Sequence, residues 1–216
     1  LSKITYSCDD IFDEGSHYFV DEASLAFKKH NGSTYQMKQK NGLDSETIIN
    51  LNSQDNMILD DDTYYSPDTI CGLLDESKRS SGCIIANITS QLQYDSDGKL
   101  LPYVKWKCDT LSERANNREQ IGVGGVLYPP HSLDALVIRQ DLFMKLTPLA
   151  DDIWLNCMAR LRKTPVVQTP RVRYLLPILQ DASTLNSVNI GCGQNDVQIQ
   201  ALRDYLVKEG LADVYD

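Results

Sequence analysis

Apolar and polar positions break the chain into short runs. Lys3-Ile4-Thr5-Tyr6-Ser7-Cys8 is β-branched and aromatic and stops at Asp9-Asp10, as a first strand ending in an acidic turn would. Residues 18 to 29 carry Tyr18, Phe19, Val20, Ala23, Leu25, Ala26 and Phe27, a spacing that predicts a helix stopped by Asn31-Gly32. Leu43 to Leu51 predicts a short helix within an otherwise polar stretch. Asn56-Met57-Ile58-Leu59 is a compact apolar run that ends at Asp60-Asp61-Asp62, and Ser66-Pro67-Asp68 opens a predicted helix through Leu74. Cys83 to Ser90 is the most strand-like segment. Tyr94 to Lys99 is a turn, and Tyr103 to Cys108 alternates like a half-exposed strand.

Residues 109 to 120 read as polar loop. Gly122 to Pro130 reads as a glycine-loosened strand closed by two prolines, and a helix is expected over 132 to 146. A second helix starts near Leu149-Ala150-Asp151-Asp152, with Ile153, Trp154, Cys157, Met158 and Leu161 at helical spacing and Trp154 expected in the core. Val166 to Thr169 and Val172 to Leu176 suggest strands. Asn195-Asp196 is expected to cap a last helix with a face of Val197, Ala201, Leu202 and Tyr205, stopped by Gly210. Alternating strands and helices without repeats or a linker predict one α/β domain, with a mixed, mostly parallel central sheet flanked by helices.

With 216 residues, the chain is long enough to bury a substantial core. Thirty acidic residues against 21 basic give a formal charge of −9, which argues against the cationic surface of a nucleic-acid binder. No apolar stretch reaches the ~18 residues of a membrane-spanning helix, and no signal peptide is visible at Leu1 to Ile4. Cytoplasmic work is the expectation, in the host cytoplasm if the source is viral, and the chain is compatible with one domain of a longer protein. The six cysteines lie twelve or more residues apart and several sit in apolar runs, so buried free thiols are expected. Asn31-Gly32-Ser33 and Asn87-Ile88-Thr89 match the glycosylation sequon, which matters only in a secreted protein.

The aspartate triplet carries the sharpest chemistry. Three carboxylates at the end of an apolar strand repel one another unless a cation compensates them. Ligands of open α/β sheets bind at the carboxyl ends of strands. Asp60 and Asp62, two apart, share one side of an extended strand, and hard cations such as Mg²⁺ or Mn²⁺ prefer oxygen ligands. A metal on Asp60 and Asp62 bridging a diphosphate is one reading, and a solvated acidic turn is the other. Asp151-Asp152 has two readings as well. Carboxylates in a first helical turn are stabilised by the helix dipole, and a carboxylate kept ionised there can also act as a general base.

Met57 to Pro67 resembles the Asp-x-Asp segment of GT-A-fold glycosyltransferases, in particular those of surface-polysaccharide assembly in bacteria and large viruses. Similar stretches follow at Pro102-Tyr103 to Trp106, Gly122 to Pro130, Pro148 to Leu155 and Asn195-Asp196 to Tyr205. The resemblance implies a single GT-A-like domain, with residues 1–62 as its nucleotide-binding half and 63–216 as its acceptor-binding half. It implies metal-dependent transfer of a sugar from a nucleotide-diphosphate donor, a UDP-sugar, to a saccharide or glycoprotein acceptor, with inversion as the expectation and retention as the alternative. Asp60, Asp61 and Asp62 would serve donor and metal, and Asp152 would be the base. Asp151 would partner an acceptor or sugar hydroxyl, with the reverse assignment as the alternative. By position, Tyr6 and Ser7 would line the nucleotide pocket, and Lys38 or Lys40 could meet a phosphate.

Trp106 is either a sugar-stacking surface or an ordinary strand tryptophan. Gly122-x-Gly124-Gly125 lacks phosphate-loop spacing, so Gly124 and Gly125 predict close backbone approach to a sugar or to a neighbouring strand. His17, His30 and His131 do not pair at metal-ligand spacing, and Asp95-Ser96-Asp97-Gly98 reads as a turn. Two other functions compete with the transferase. A nucleotidyltransferase shares the strand-to-carboxylate logic but lacks its glycine-rich basic loop here. A non-catalytic carbohydrate- or protein-binding domain would hold a structural cation and bind no nucleotide.

Overall fold

Strands with no polar face must be covered on both sides, and the central sheet meets that demand with helices. The structure is a computed structural model and describes residues 18–21, 26–29, 34–36, 56–59, 63–108, 114–170, 176–177 and 187–216. In chain order, the strands are β1 (Tyr18–Asp21), β2 (Ala26–Lys29), β3 (Thr34–Gln36), β4 (Asn56–Ile58), β5 (Thr63–Tyr64) and β6 (Ile84–Ala86). They continue with β7 (Thr89–Gln91), β8 (Lys107–Cys108), β9 (Arg118–Gln120), β10 (Val126–Tyr128), β11 (Val166–Gln168) and β12 (Leu176–Pro177). The α-helices are α1 (Thr69–Arg79), α2 (Gln140–Leu146), α3 (Asp151–Leu161) and α4 (Gln194–Lys208).

The central sheet has the order β11-β6-β10-β4. β11 and β6 pair in parallel, while β10 runs antiparallel to both β6 and β4, so the sheet is mixed. Period-2 alternation divides its side chains between two cores. Met57, Leu59, Ile85, Leu127 and Val167 pack with Ile70, Cys71 and Leu73 of α1. Ile58, Ile84, Ala86, Val126, Tyr128 and Val166 pack with Trp154 and Met158 of α3 and with Ile199, Leu202 and Leu206 of α4. The result is a three-layer α/β arrangement. A second antiparallel sheet, β8-β7-β9, continues from β6 through a bend at Asn87-Ile88.

Several local expectations change. The predicted helix over 18–29 is an antiparallel hairpin of β1 and β2, joined to β3. Its Tyr18-Phe19-Val20 triplet is aromatic and β-branched, a composition that favours strand over helix. Tyr103–Lys105 is a 3-10 turn followed by the two-residue β8, and the expected loop at 109–120 contains β9. The expected helix over 132–146 is divided into a 3-10 turn, Ala135–Ile138, and α2. α4 is preceded by Gly193 in the left-handed conformation, with no side-chain cap. Its buried face is Asn195, Gln198, Ile199, Leu202 and Leu206, while Val197 is 59% exposed.

Cys71 is disulfide-bonded, which corrects the expectation of free thiols throughout. Cys83, Cys108, Cys157 and Cys192 are free. Burial pushes the Cys157 thiol up to about 12, so it packs as an inert apolar group. Asn87 is 5% exposed and its amide is engaged internally, so this sequon is no glycan acceptor in the folded chain. Asp95 closes the expected turn by accepting from the Asp97 and Lys99 amides. His131 is exposed. Among the described residues, no helix is long and apolar enough to cross a membrane. The first predicted strand, the helix over 43–51 and most of 172–176 lie outside the described residues.

Gly124 marks the tightest packing. A Cβ there would sit 2.8 Å from Ile88 Cγ1 and 3.0 Å from the Ile88 backbone nitrogen, and the backbone atom cannot swing away. Gly191 has open space around the same atom. Gly124→Ala should therefore cost about 2–3 kcal/mol in urea unfolding, as overpacked sites do. Gly191→Ala should stay within about 0.5 kcal/mol of the parent. Equal stabilities for the two variants would contradict the packing described.

Candidate functional site

One edge of the central sheet gathers the chemistry. The register aligns Ile58 with Val126, Val126 with Ala86, and Ala86 with Gln168. Because β10 runs opposite to its neighbours, the turn that enters it lies beside the ends of β4, β6 and β11. Gly122–Gly124 forms a 3-10 turn, and Gly125 follows with φ of 86°, a left-handed backbone suited to glycine.

Asn87 ties this edge together. Its Nδ2 donates to Gly124 O at 2.9 Å, its Oδ1 accepts from Thr169 Oγ1 at 2.8 Å, and its backbone N–H donates to Gly125 O. Beside it, Gln168 Oε1 accepts from both the amide and the hydroxyl of Thr89. These buried polar groups are paired, as the interior demands.

The glycine turn also meets the described residues on either side of the aspartate triplet. A Cβ on Gly125 would lie 2.9 Å from Leu59 Cδ2. Tyr65 Oη donates to Val123 O at 2.9 Å. Gly124 and Gly125 thus make the close approach to neighbouring strands, which was one of the two expectations for them. Asp60, Asp61 and Asp62 lie outside the described residues, as do Tyr6, Ser7, Lys38 and Lys40. Among the described residues, no three His, Cys, Asp or Glu side chains group to hold a metal ion.

Asp151 and Asp152 open α3, as the sequence predicts. Gly122 N–H donates to Asp152 Oδ2 at 2.9 Å, and the Asp152 amide donates to Asp151 Oδ1 at 3.1 Å. Four residues, Gly122 to Gly125, therefore connect the helix-start carboxylate to the end of β4. Trp106 is 8% exposed, lies against Tyr103 with ring centroids 4.8 Å apart, and donates its Nε1 to Leu101 O. That is a packing role.

β9 brings in residues that sequence reasoning missed. Asn156 of α3 donates to Arg118 O and to Gln120 Oε1, fastening the strand to the helix. Gln120 Nε2 approaches Asp152 O at 3.4 Å. Between them, Glu119 is 1% exposed, and its Oε2 has no hydrogen-bond partner among the described residues. Burial, reinforced by the Asp152 charge, pushes its carboxyl up to about 8. The Tyr103 hydroxyl donates to Glu119, and burial together with the Glu119 and Asp152 charges holds that phenol well above its ordinary range. Asp196, in the first turn of α4, accepts from Tyr103 N at 2.8 Å instead of capping its own helix. Arg118-Glu119-Gln120 has no apolar alternation, so nothing in the sequence announces a buried strand.

No protein-family model matches the chain, and no curated protein matches it.

The Glu119 environment sets a pH dependence. The unfolded chain releases this proton near the ordinary glutamate value, whereas the folded chain keeps it to about 8. Across that interval the folded state binds more protons, so stability contributed by the neutral carboxyl falls as pH rises and levels off above about 8. The difference in unfolding free energy between parent and Glu119→Gln should change against the parent by up to about 1.4 kcal/mol per pH unit from pH 5 to 8. Denaturant unfolding across that range checks it, and a flat difference would contradict the buried neutral carboxyl.

Proposed function

We propose that the chain is a metal-dependent glycosyltransferase of GT-A-like architecture that takes a UDP-sugar donor and a saccharide or glycoprotein acceptor. The observation that carries this reading is the Gly122–Gly125 turn. It packs against Leu59 immediately before the aspartate triplet and donates a hydrogen bond to Asp152 at its other end. Leu59, the residue before the triplet in sequence, and the distant Asp152 both meet this one turn at a sheet edge, the kind of place where α/β proteins bind ligands.

A carboxylate triplet offers the hard oxygen donors that Mg²⁺ or Mn²⁺ prefers, so Asp60 and Asp62 are the residues that would hold such an ion. Bound there, it would supply the positive charge that stabilises a departing nucleoside diphosphate. Asp152 has the chemistry of the base. Its carboxylate is stabilised as an anion by the Gly122 N–H and by its place at a helix N-terminus. It would take the proton of the acceptor hydroxyl as that oxygen forms its bond to the anomeric carbon. Asp151 would position a hydroxyl of acceptor or sugar.

Calorimetric titration of UDP with Mn²⁺ present tests the donor half. Micromolar binding, abolished by EDTA and weakened at least about tenfold in Asp62→Asn, is expected, while Asp152→Asn should bind UDP like the parent. Binding that is absent with metal, or that survives EDTA unchanged, would contradict the reading.

A further inference from the structure

The opening of α4 makes hydrogen bonds that the proposed chemistry has not used. Asp196 and Gln198 are two positions apart, about 200° around the helix, so they reach different neighbours. Asp196 takes the Tyr103 N–H, and the buried Gln198 accepts from the Leu149 N–H through Oε1 at 2.9 Å. Gln198 Nε2 donates back to Gln194 O at 3.3 Å, which engages the other end of the amide and fixes its orientation. Asn189, in the turn Ser187–Gly191 that precedes α4, donates its Nδ2 to Leu149 O at 2.7 Å. Leu149 is thus gripped by both of its backbone groups. Its side chain is 38% exposed, so packing alone does not fix it.

Leu149 leads directly into α3. The residue at the start of that helix is Ala150, which has no side-chain oxygen to cap it, and the bond from Trp154 N–H to Ala150 O is long at 3.3 Å. Farther along, Ile153, Trp154 and Leu155 are buried and fix the body of the helix. The entry therefore depends on bonds from outside it. Resting on the transferase reading for Asp152, we propose that Gln198, aided by Asn189, is the positioning residue for the base. It holds the Leu149-Ala150 entry, and through it keeps the Asp152 carboxylate on the Gly122 N–H. Asp152 lies three residues on from Leu149, less than one helical turn. A small rotation of the entry carries its carboxylate off the Gly122 N–H and away from the acceptor hydroxyl. Misplacement by about 1 Å can cost about a hundredfold in rate.

Amide-proton NMR of the full chain tests the brace without any ligand. Gln198→Leu keeps the bulk and removes the acceptor. Its Gly122 amide signal should move towards the position seen in Asp152→Ala and exchange with solvent at least about tenfold faster than in the parent, with the Ile85 and Leu127 amides of the central sheet unchanged. A Gly122 amide that neither moves nor exchanges faster would overturn the proposal. Should Gln198→Leu fail to fold, Asn189→Ala releases the same residue from the other side and is read by the same two outcomes. With UDP-sugar and Mn²⁺, Gln198→Leu should lower kcat about tenfold, leave the donor KM within about twofold, and add no further loss to Asp152→Asn. An unchanged kcat, or an equal loss on both backgrounds as a general structural defect would give, counts against it decisively. A Gly122 amide that behaves as expected, in a chain that neither binds nor turns over UDP-sugar, upholds the brace on Asp152 and removes the transferase reading.

Discussion

The antiparallel β10, set between β4 and β6, is the constraint on which the rest of the site depends. Had all four central strands run the same way, the segment entering β10 would lie at the opposite edge from the ends of β4, β6 and β11. Because it is reversed, Gly122 to Gly125 is delivered beside Leu59, Asn87 and Thr169. Glycine is needed for two separate reasons. Ile88 occupies the space a Cβ on Gly124 would fill, and Gly125 has a left-handed backbone. The turn can therefore be tight enough to touch β4 while its first N–H reaches Asp152.

Electrostatics then sorts the carboxyl groups by their surroundings. Asp152 has a peptide donor and a helix start, which favour the anion. Glu119 has burial and a tyrosine but no ion pair among the described residues, which favour the acid. Asp196 is drawn away from its own helix to hold the Tyr103 amide. The junction of β9, α3 and the Tyr103 turn is thus a buried, hydrogen-bonded polar interior.

The central sheet was legible because its strands are apolar on both faces. Ile84-Ile85-Ala86 and Val126-Leu127-Tyr128 can hardly lie anywhere but under helices. α3 was legible from its apolar spacing and its acidic first turn. β9 was not, because the Arg118 carbonyl and the Gln120 side-chain oxygen accept from Asn156, 38 and 36 residues away, and no local pattern records a partner so distant. Glu119 was missed for the same reason. The Tyr18–Asp21 hairpin strand was misread where helical spacing was given more weight than β-branched composition. The free-thiol expectation failed at Cys71, since connectivity cannot be read from spacing alone. Asp151-Asp152 opens α3 as the sequence predicts, while Trp106 packs against Tyr103.

The central claim is that a cation and a nucleotide bind at the sheet edge built on the Gly122–Gly125 turn. Paramagnetic broadening of backbone amide NMR signals by Mn²⁺, added with UDP to the full chain, tests it most directly. The account predicts that Leu59, Asn87, Gly124 and Gly125 broaden strongly, with Val207 and Lys208 on α4 unaffected, and that Asp62→Asn removes the pattern. Broadening centred elsewhere, or the same pattern in Asp62→Asn, would contradict it.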